Sequence, residues 1–229
     1  MKEEIELLID YPANIAAQLL RDEIDLGLVP VAIIPSLEEH FIISDYCIAC
    51  DGQVASVCLF SEVPLHEIET IYLDYQSRTS VALLKILLRD YWKVEPHLIP
   101  ADKGYEKSVK GKTAALVIGD RALEMRSSYP FIFDLGLAWK EMTGLPFVFA
   151  AWVSNKRLSP EFISAFNKAN AYGFNNLDRV IDSLGYKTYD LNTYYRENIQ
   201  YRFDDQKRKG LGLFLEKIVG NGVSPNVRQ

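Results

Sequence analysis

The stretch Leu73-Asp74-Tyr75-Gln76-Ser77-Arg78-Thr79-Ser80-Val81-Ala82-Leu83-Leu84 joins an apolar run, Thr70 to Leu73, to apolar positions at helical spacing that continue to Trp92. The first run reads as a buried strand and the second as a helix from Thr79 to about Trp92, with a polar, hydroxyl-rich turn between them. Ser77 to Ser80 then sit at a helix N-terminus, facing out of a strand's carboxyl end. That position concentrates unpaired backbone N–H groups, short hydroxyls and the positive end of the helix dipole, and so suits a carboxylate or phosphate. Ser and Thr are also favoured helix caps, so a cap and a ligand site both remain open for these residues.

Downstream, a strand near Pro96 to Pro100 completes a βαβ set with this strand and helix. Ala101 to Lys112 carries Lys103, Lys107, Lys110 and Lys112 and reads as an exposed loop. Ala114 to Ile118 is a buried strand that feeds Gly119-Asp120-Arg121-Ala122-Leu123, the start of a short helix. Tyr129 to Leu135 reads as a strand, Ala138 to Thr143 as a helical turn stopped by Gly144, and Pro146 to Val153 as a long strand. After Ser154 the pattern is helical: Pro160 to Phe174, Leu177 to Leu184, Asp190 to Glu197 and Asp204 to Val219. Asn221 to Gln229 reads as a polar, frayed tail.

Upstream, Glu4 to Asp10 has a strand pattern ended by Tyr11-Pro12, and Pro12 suits the first turn of a helix running to about Asp22. Leu26 to Val31 is apolar enough to be a strand buried on both faces of a parallel sheet, giving a further βαβ unit. Phe41 to Cys50 and Val54 to Phe60 are two strand-like runs separated by the turn Asp51-Gly52, and read as a hairpin or a hinge connection. Two βαβ sets flanking strands that could cross between them imply an α/β fold of two lobes with an interlobe cleft. Residues 1–64 and 152–229 would form lobe 1, and residues 65–151 lobe 2.

Composition narrows the function. The chain has 229 residues, 48% hydrophobic and 24% charged, with a formal net charge of -6. That is a globular composition, and its acidity argues against a nucleic-acid partner, which demands a basic face. No window has the uninterrupted apolar length of a membrane span, and Met1-Lys2-Glu3-Glu4 lacks the apolar segment of a secretory signal; the expected location is cytoplasmic. Cys47, Cys50 and Cys58 lie in apolar sequence and read as buried reduced thiols. His40, His66 and His97 are scattered without ligand spacing, so neither a metal nor a histidine-based triad is expected.

Taken together, Asp51-Gly52-Gln53-Val54-Ala55-Ser56-Val57, Ser77-Arg78-Thr79-Ser80, Gly119-Asp120-Arg121-Ala122-Leu123 and Thr143-Gly144-Leu145-Pro146-Phe147-Val148-Phe149-Ala150-Ala151-Trp152 resemble the chorismate dehydratase family of the futalosine route to menaquinone. The resemblance runs over nearly the whole chain, in the family's order and approximate spacing. It implies a type II periplasmic-binding-protein-like fold and dehydration of chorismate to 3-[(1-carboxyvinyl)oxy]benzoate without metal or organic cofactor. Ser56 matches the family's serine in the cleft, which makes it the expected catalytic and substrate-contacting residue. Ser77, Thr79 and Ser80 match the hydroxyl turn that receives a substrate carboxylate, with Arg78 and Asp120 as further binding candidates. Family members usually open with a strand and an aromatic-Leu-Asn segment whose asparagine faces the substrate. This sequence has no match for it, so either the true start lies upstream of the given one, which is the expectation, or the catalytic site is incomplete.

The implied reaction removes a ring proton and a neighbouring hydroxyl, driven by aromatisation. The protein would orient a dianion and stabilise charge on its ring carboxylate. No histidine lies in the four motifs, so the substrate's own enolpyruvyl carboxylate is the candidate proton acceptor. Each residue has a plainer alternative. Ser56 could be a small residue at close packing, Asp120 a helix cap, Arg78 the partner of a lobe-2 carboxylate, and Phe147, Phe149 and Trp152 core. Two rival functions stand beside the first: the sibling 1,4-dihydroxy-6-naphthoate synthase and a non-catalytic module binding a small carboxylate. A homodimer is left open.

Overall fold

A strand persists only where another strand takes up its backbone hydrogen bonds, and this requirement decides what the first thirty residues become. The computed structural model describes residues 4–220. Residues 5–11 carry no regular secondary structure, and Leu7 and Ile9 are 72% and 89% exposed. The strand expected at Glu4 to Asp10 is therefore not formed. The elements that do form are, in chain order, α1 (Pro12–Leu20), β1 (Leu26–Pro30), β2 (Phe41–Cys50), β3 (Val57–Ser61), β4 (Thr70–Leu73), α2 (Arg78–Ile86), β5 (His97–Pro100), β6 (Thr113–Ile118), α3 (Asp120–Met125), β7 (Phe131–Asp134), α4 (Leu135–Thr143), β8 (Phe147–Ser154), α5 (Pro160–Asn175), α6 (Leu177–Leu184), α7 (Leu191–Thr193), β9 (Gln200–Arg202) and α8 (Asp205–Val219). Two π-helical segments extend helices, Leu87–Trp92 after α2 and Tyr194–Asn198 after α7.

The first sheet has the order β1-β8-β2-β9. Its pairings are antiparallel: β8 lies between β1 and β2, with Leu28 opposite Trp152 and Cys50 opposite Phe147. The parallel, doubly covered setting expected for Leu26 to Val31 is thus corrected. β1 is an edge strand with a single antiparallel neighbour, and no βαβ unit forms there because the strand that would have preceded α1 is absent from the described residues. Helix α1 still packs on β1, so tightly that a Cβ on Gly27 would meet Ile15 Cγ2 at 2.8 Å.

The second sheet has the order β5-β4-β6-β3-β7. Here β4, α2 and β5 make the expected parallel unit, with Ile71 opposite Leu98, and β6 runs parallel to β4 on its other side. β3 is antiparallel to both β6 and β7. The two runs around Asp51-Gly52 are accordingly not a hairpin, because β2 and β3 belong to different sheets and residues 51–56 carry the chain from one to the other. The chain returns through α4, which Gly144 ends at φ +74°, a left-handed conformation that glycine adopts without strain.

One continuous apolar core joins the two sheets. At its centre Trp139 of α4, Phe147 of β8 and Phe214 of α8 meet edge to face, with ring centroids 4.9–6.1 Å apart. Phe147 is fully buried, Phe149 lies against it, and Trp152 packs on Phe166 of α5. The core reading holds for Phe147, while Phe149 and Trp152 are half-buried. Cys47, Cys50 and Cys58 are free and buried, and burial pushes the Cys47 thiol up to about 12. None of the helices described is long and apolar enough to cross a membrane. The tail Asn221 to Gln229 lies outside the described residues.

Candidate active site

Sheet register brings three segments to one end of the second sheet. β4 ends at Leu73 and the parallel β6 ends at Ile118; β3 runs the other way and starts beside it, with Val57 opposite Ile118. The Asp74–Ser77 turn, Gly119-Asp120 and Ser56 therefore converge at the carboxyl ends of the parallel strands, where open α/β sheets place their ligands.

Ser56 is 4% exposed and held from several directions. Its N–H donates to Val54 O at 2.8 Å, and its carbonyl accepts from Gly119 N at 2.8 Å. The preceding Ala55 has φ +63°, which costs a residue with a Cβ about 1–2 kcal/mol. That geometry is clamped by Asp134, whose carboxylate accepts Val54 N–H at 3.1 Å and Ala55 N–H at 2.7 Å, and by Arg126, which donates to Ala55 O at 3.0 Å. Burial holds the Asp134 carboxyl above its ordinary pKa, against the lowering effect of its backbone donors and Arg126. The Ser56 hydroxyl meets Tyr194, whose O–H donates to Ser56 Oγ at 2.8 Å. Tyr194 lies 138 positions further along the chain, and nothing in the local pattern of 190–198 beyond its density of tyrosines singles it out.

The hydroxyl turn divides by role. Ser77 is the N-cap of α2: its Oγ accepts Ser80 N–H at 3.1 Å and donates to Ser80 Oγ at 2.7 Å. Thr79 is 1% exposed, and its Oγ1 accepts Ala32 N–H at 3.2 Å, tying α2 to the segment that follows β1. Ser80 is buried beside them. No carboxylate among the described residues pairs with Arg78, and its Nη1 is buried without a hydrogen-bond partner. The ion pair weighed for Arg78 in the sequence is thus not formed.

Asp120 does not cap α3. Gly119, at φ +67°, is the N-cap residue, and the exposed Asp120 follows it as the first helical residue. The neighbouring Arg121 makes the connection instead. Its Nη2 donates to Asp74 Oδ2 at 2.7 Å and to Gln76 Oε1 at 2.8 Å, its Nη1 pairs with Glu106, and its guanidinium lies 5.4 Å over the Tyr75 ring. Arg121 thereby ties the Gly119 segment, which holds Ser56, to the turn that opens α2. Its proximity to Asp120 in the motif was the only sequence signal for it.

A cavity of about 470 Å³, lined by residues 181–182 and 185–192, adjoins this region through Tyr189, which packs on Tyr194, and Tyr186, whose hydroxyl donates to Asp120 O at 3.4 Å. A second, of about 290 Å³ beside Lys85, Arg89 and Lys93, contains none of the candidate residues. Among the described residues no cluster of His, Cys, Asp and Glu has the makings of a metal site.

Two sheets linked by crossing segments, with buried polar groups gathered at strand ends, define a periplasmic-binding-protein-like fold. Solved structures agree. A protein of Archaeoglobus fulgidus matches at TM-score 0.68 and 18% identity, covering 96% of this chain and 88% of its own. The periplasmic aliphatic sulphonate binding protein of Escherichia coli matches at TM-score 0.59 and 14% identity, over 94% of this chain and 81% of its own. Within that class the chain belongs to the menaquinone biosynthesis family, whose model matches residues 1–219. It is similar to the chorismate dehydratase of Thermus thermophilus, 29% identical over 94% of this chain and 88% of that one.

Proposed function

We propose that this protein is a chorismate dehydratase, a hydro-lyase that converts chorismate to 3-[(1-carboxyvinyl)oxy]benzoate and water. The observation that carries the reading is the similarity to the Thermus thermophilus chorismate dehydratase across 94% of the chain. The site supplies chemistry to match. Chorismate is a dianion, and the buried Nη1 of Arg78 without a partner, at the N-terminus of α2, suits a carboxylate. On this reading each sheet belongs to one lobe, the chain crosses between them at residues 51–56 and 135–146, and the substrate lies at the carboxyl ends of the second sheet's parallel strands, beside the 51–56 crossing. Arg78 and Ser80 receive the ring carboxylate, Ser77 and Thr79 hold the turn in shape, and Ser56 contacts the reacting part of the ring.

Elimination takes the proton from the ring carbon bearing the enol ether and the hydroxyl from its neighbour. The C–H electron pair becomes the last ring double bond as hydroxide leaves with a proton to form water. The substrate's enolpyruvyl carboxylate accepts the ring proton in this scheme and passes that proton to the departing hydroxide, so that a dianionic product and one water result; the protein orients the dianion and excludes bulk water.

Incubation of the purified protein with chorismate, followed by absorbance and mass, tests the proposal. An aromatic product 18 mass units lighter than chorismate is expected. Tight chorismate binding without product would replace the enzyme by a carboxylate-binding module, and neither binding nor product would overturn both.

A further inference from the structure

We infer that Tyr194 is a positioning residue for this reaction: its phenol O–H donates into Ser56 Oγ and so commits the Ser56 hydroxyl proton to the substrate. The inference rests on the proposed dehydratase function and names a residue that reading did not contain.

A serine hydroxyl has one proton and two lone pairs. A phenol is a far stronger acid than an aliphatic alcohol, so of two hydroxyls 2.8 Å apart the tyrosine is the donor. With one Ser56 lone pair engaged by Tyr194, the Ser56 proton needs an acceptor, and no described residue supplies one at hydrogen-bonding distance. An anionic or hydroxyl oxygen of the substrate fits that vacancy in the hydrogen-bond pattern.

The placement of Tyr194 is built rather than incidental. It begins the π-helical segment Tyr194–Asn198, a widened turn of the kind that recurs at functional sites because it re-aims side chains. The far end of that segment is fastened to the same crossing segment, since Asn198 Nδ2 donates to Gln53 O at 3.3 Å. Two rungs, Tyr194 to Ser56 and Asn198 to Gln53, thus fix the segment against the 53–56 crossing. The Tyr194 ring stands edge-on to Tyr189 and Tyr195, with centroids 6.3 and 5.1 Å away, and the Tyr189 hydroxyl is itself anchored on Asn198 Oδ1 at 3.1 Å. Burial raises the Tyr194 pKa above its ordinary value, so the phenol keeps its proton through the neutral range.

A double-mutant cycle on the full chain tests this, with chorismate as substrate. Tyr194→Phe removes one hydroxyl and keeps the ring; kcat should fall about tenfold, the rate equivalent of one neutral hydrogen bond, with KM nearly unchanged. Ser56→Ala should cost more. In the Ser56→Ala background the added Tyr194→Phe change should cost nothing, because its route of action is gone. Equal losses in both backgrounds would overturn the inference while leaving the dehydratase reading intact; a wild-type protein inactive on chorismate would overturn that reading and this inference with it. Replacement of Tyr194 by 3,5-difluorotyrosine keeps the fold and makes the phenol more acidic. The alkaline limb of kcat should move to lower pH, and an unmoved limb would count against the role.

Discussion

The carboxylate of Asp134 accepts the backbone N–H of Ala55 at 2.7 Å, across 79 positions of sequence, and holds that alanine at φ +63°. The same carboxylate takes Val54 N–H and Leu137 N–H on its other oxygen, so one buried side chain caps α4 and shapes the turn that presents Ser56. Asp134→Asn keeps one oxygen but turns an amide N–H₂ toward a backbone donor. The expected result is a loss of about 1–3 kcal/mol in urea unfolding and a drop in kcat with it. Unchanged stability would mean that the clamp does not hold the turn.

Arg78 gives a prediction of the opposite kind for the free protein. Its buried Nη1 has no partner, so Arg78→Gln should leave thermal stability without ligand unchanged or slightly raised. Chorismate affinity should nevertheless fall by about tenfold or more, the usual worth of a hydrogen bond to a charged group. Melting curves with and without chorismate measure both effects, and an unchanged ligand-induced shift would remove Arg78 from the binding site.

Thr79 separates cap chemistry from ligand chemistry. Its Oγ1 is the acceptor for the buried Ala32 N–H, and valine would fill the same volume without accepting that bond. Thr79→Val should therefore destabilise the protein by about 1–3 kcal/mol, and Thr79→Ser should recover part of the loss. Chemical denaturation of the two variants decides it.

The pH dependence of stability has a legible contributor in Asp90. Arg89 Nε and Nη2 donate to its carboxylate at 2.5 and 2.9 Å, Lys217 Nζ from α8 reaches it at 2.7 Å, and these bonds hold its carboxyl well below the usual range. A depressed folded-state pKa contributes stability above the unfolded value near 3.9, and that contribution is lost as pH falls toward the folded value. Asp90→Asn should thus cost about 0.2–1 kcal/mol at pH 7, in keeping with a solvent-screened pair, and progressively less below pH ~4. A pH series of melting curves reads the difference. A constant gap between variant and wild type would show that the charge plays no part.

Local chemistry in the sequence was enough for most helices and for the second sheet's parallel unit. Pro12 opens α1, Ser77 caps α2, Asp204 caps α8 and Gly144 ends α4, because capping and termination are decided by residues within one turn of each other. The β4-α2-β5 crossover is legible for the same reason: its parallel pairing follows from a short strand-helix-strand run. The family resemblance, carried by four ordered motifs, led to the fold class. Pairing over long distances was not legible. The Glu4 to Asp10 pattern has strand periodicity but forms no strand, β1 is matched to β8 more than a hundred residues away, and the apparent hairpin at Asp51-Gly52 is a crossing between sheets. Strand periodicity tells which face is apolar and says nothing about which neighbour takes the hydrogen bonds.

At the site the same division holds. The sequence alone determined that Ser77 to Ser80 open a helix after a strand, and it marked Ser56 and Asp120 through their motifs. Only the tertiary structure decided the partners: Ser77 bonds Ser80, Thr79 accepts Ala32 N–H, Gly119 and not Asp120 is the N-cap of α3, Arg121 joins the two loops, and Tyr194 meets Ser56. The physical reason is that a hydroxyl's function depends on the one or two atoms it bonds. For Ser56 and Thr79 those atoms lie 138 and 47 positions away, brought within 3.2 Å only when the two sheets share a core.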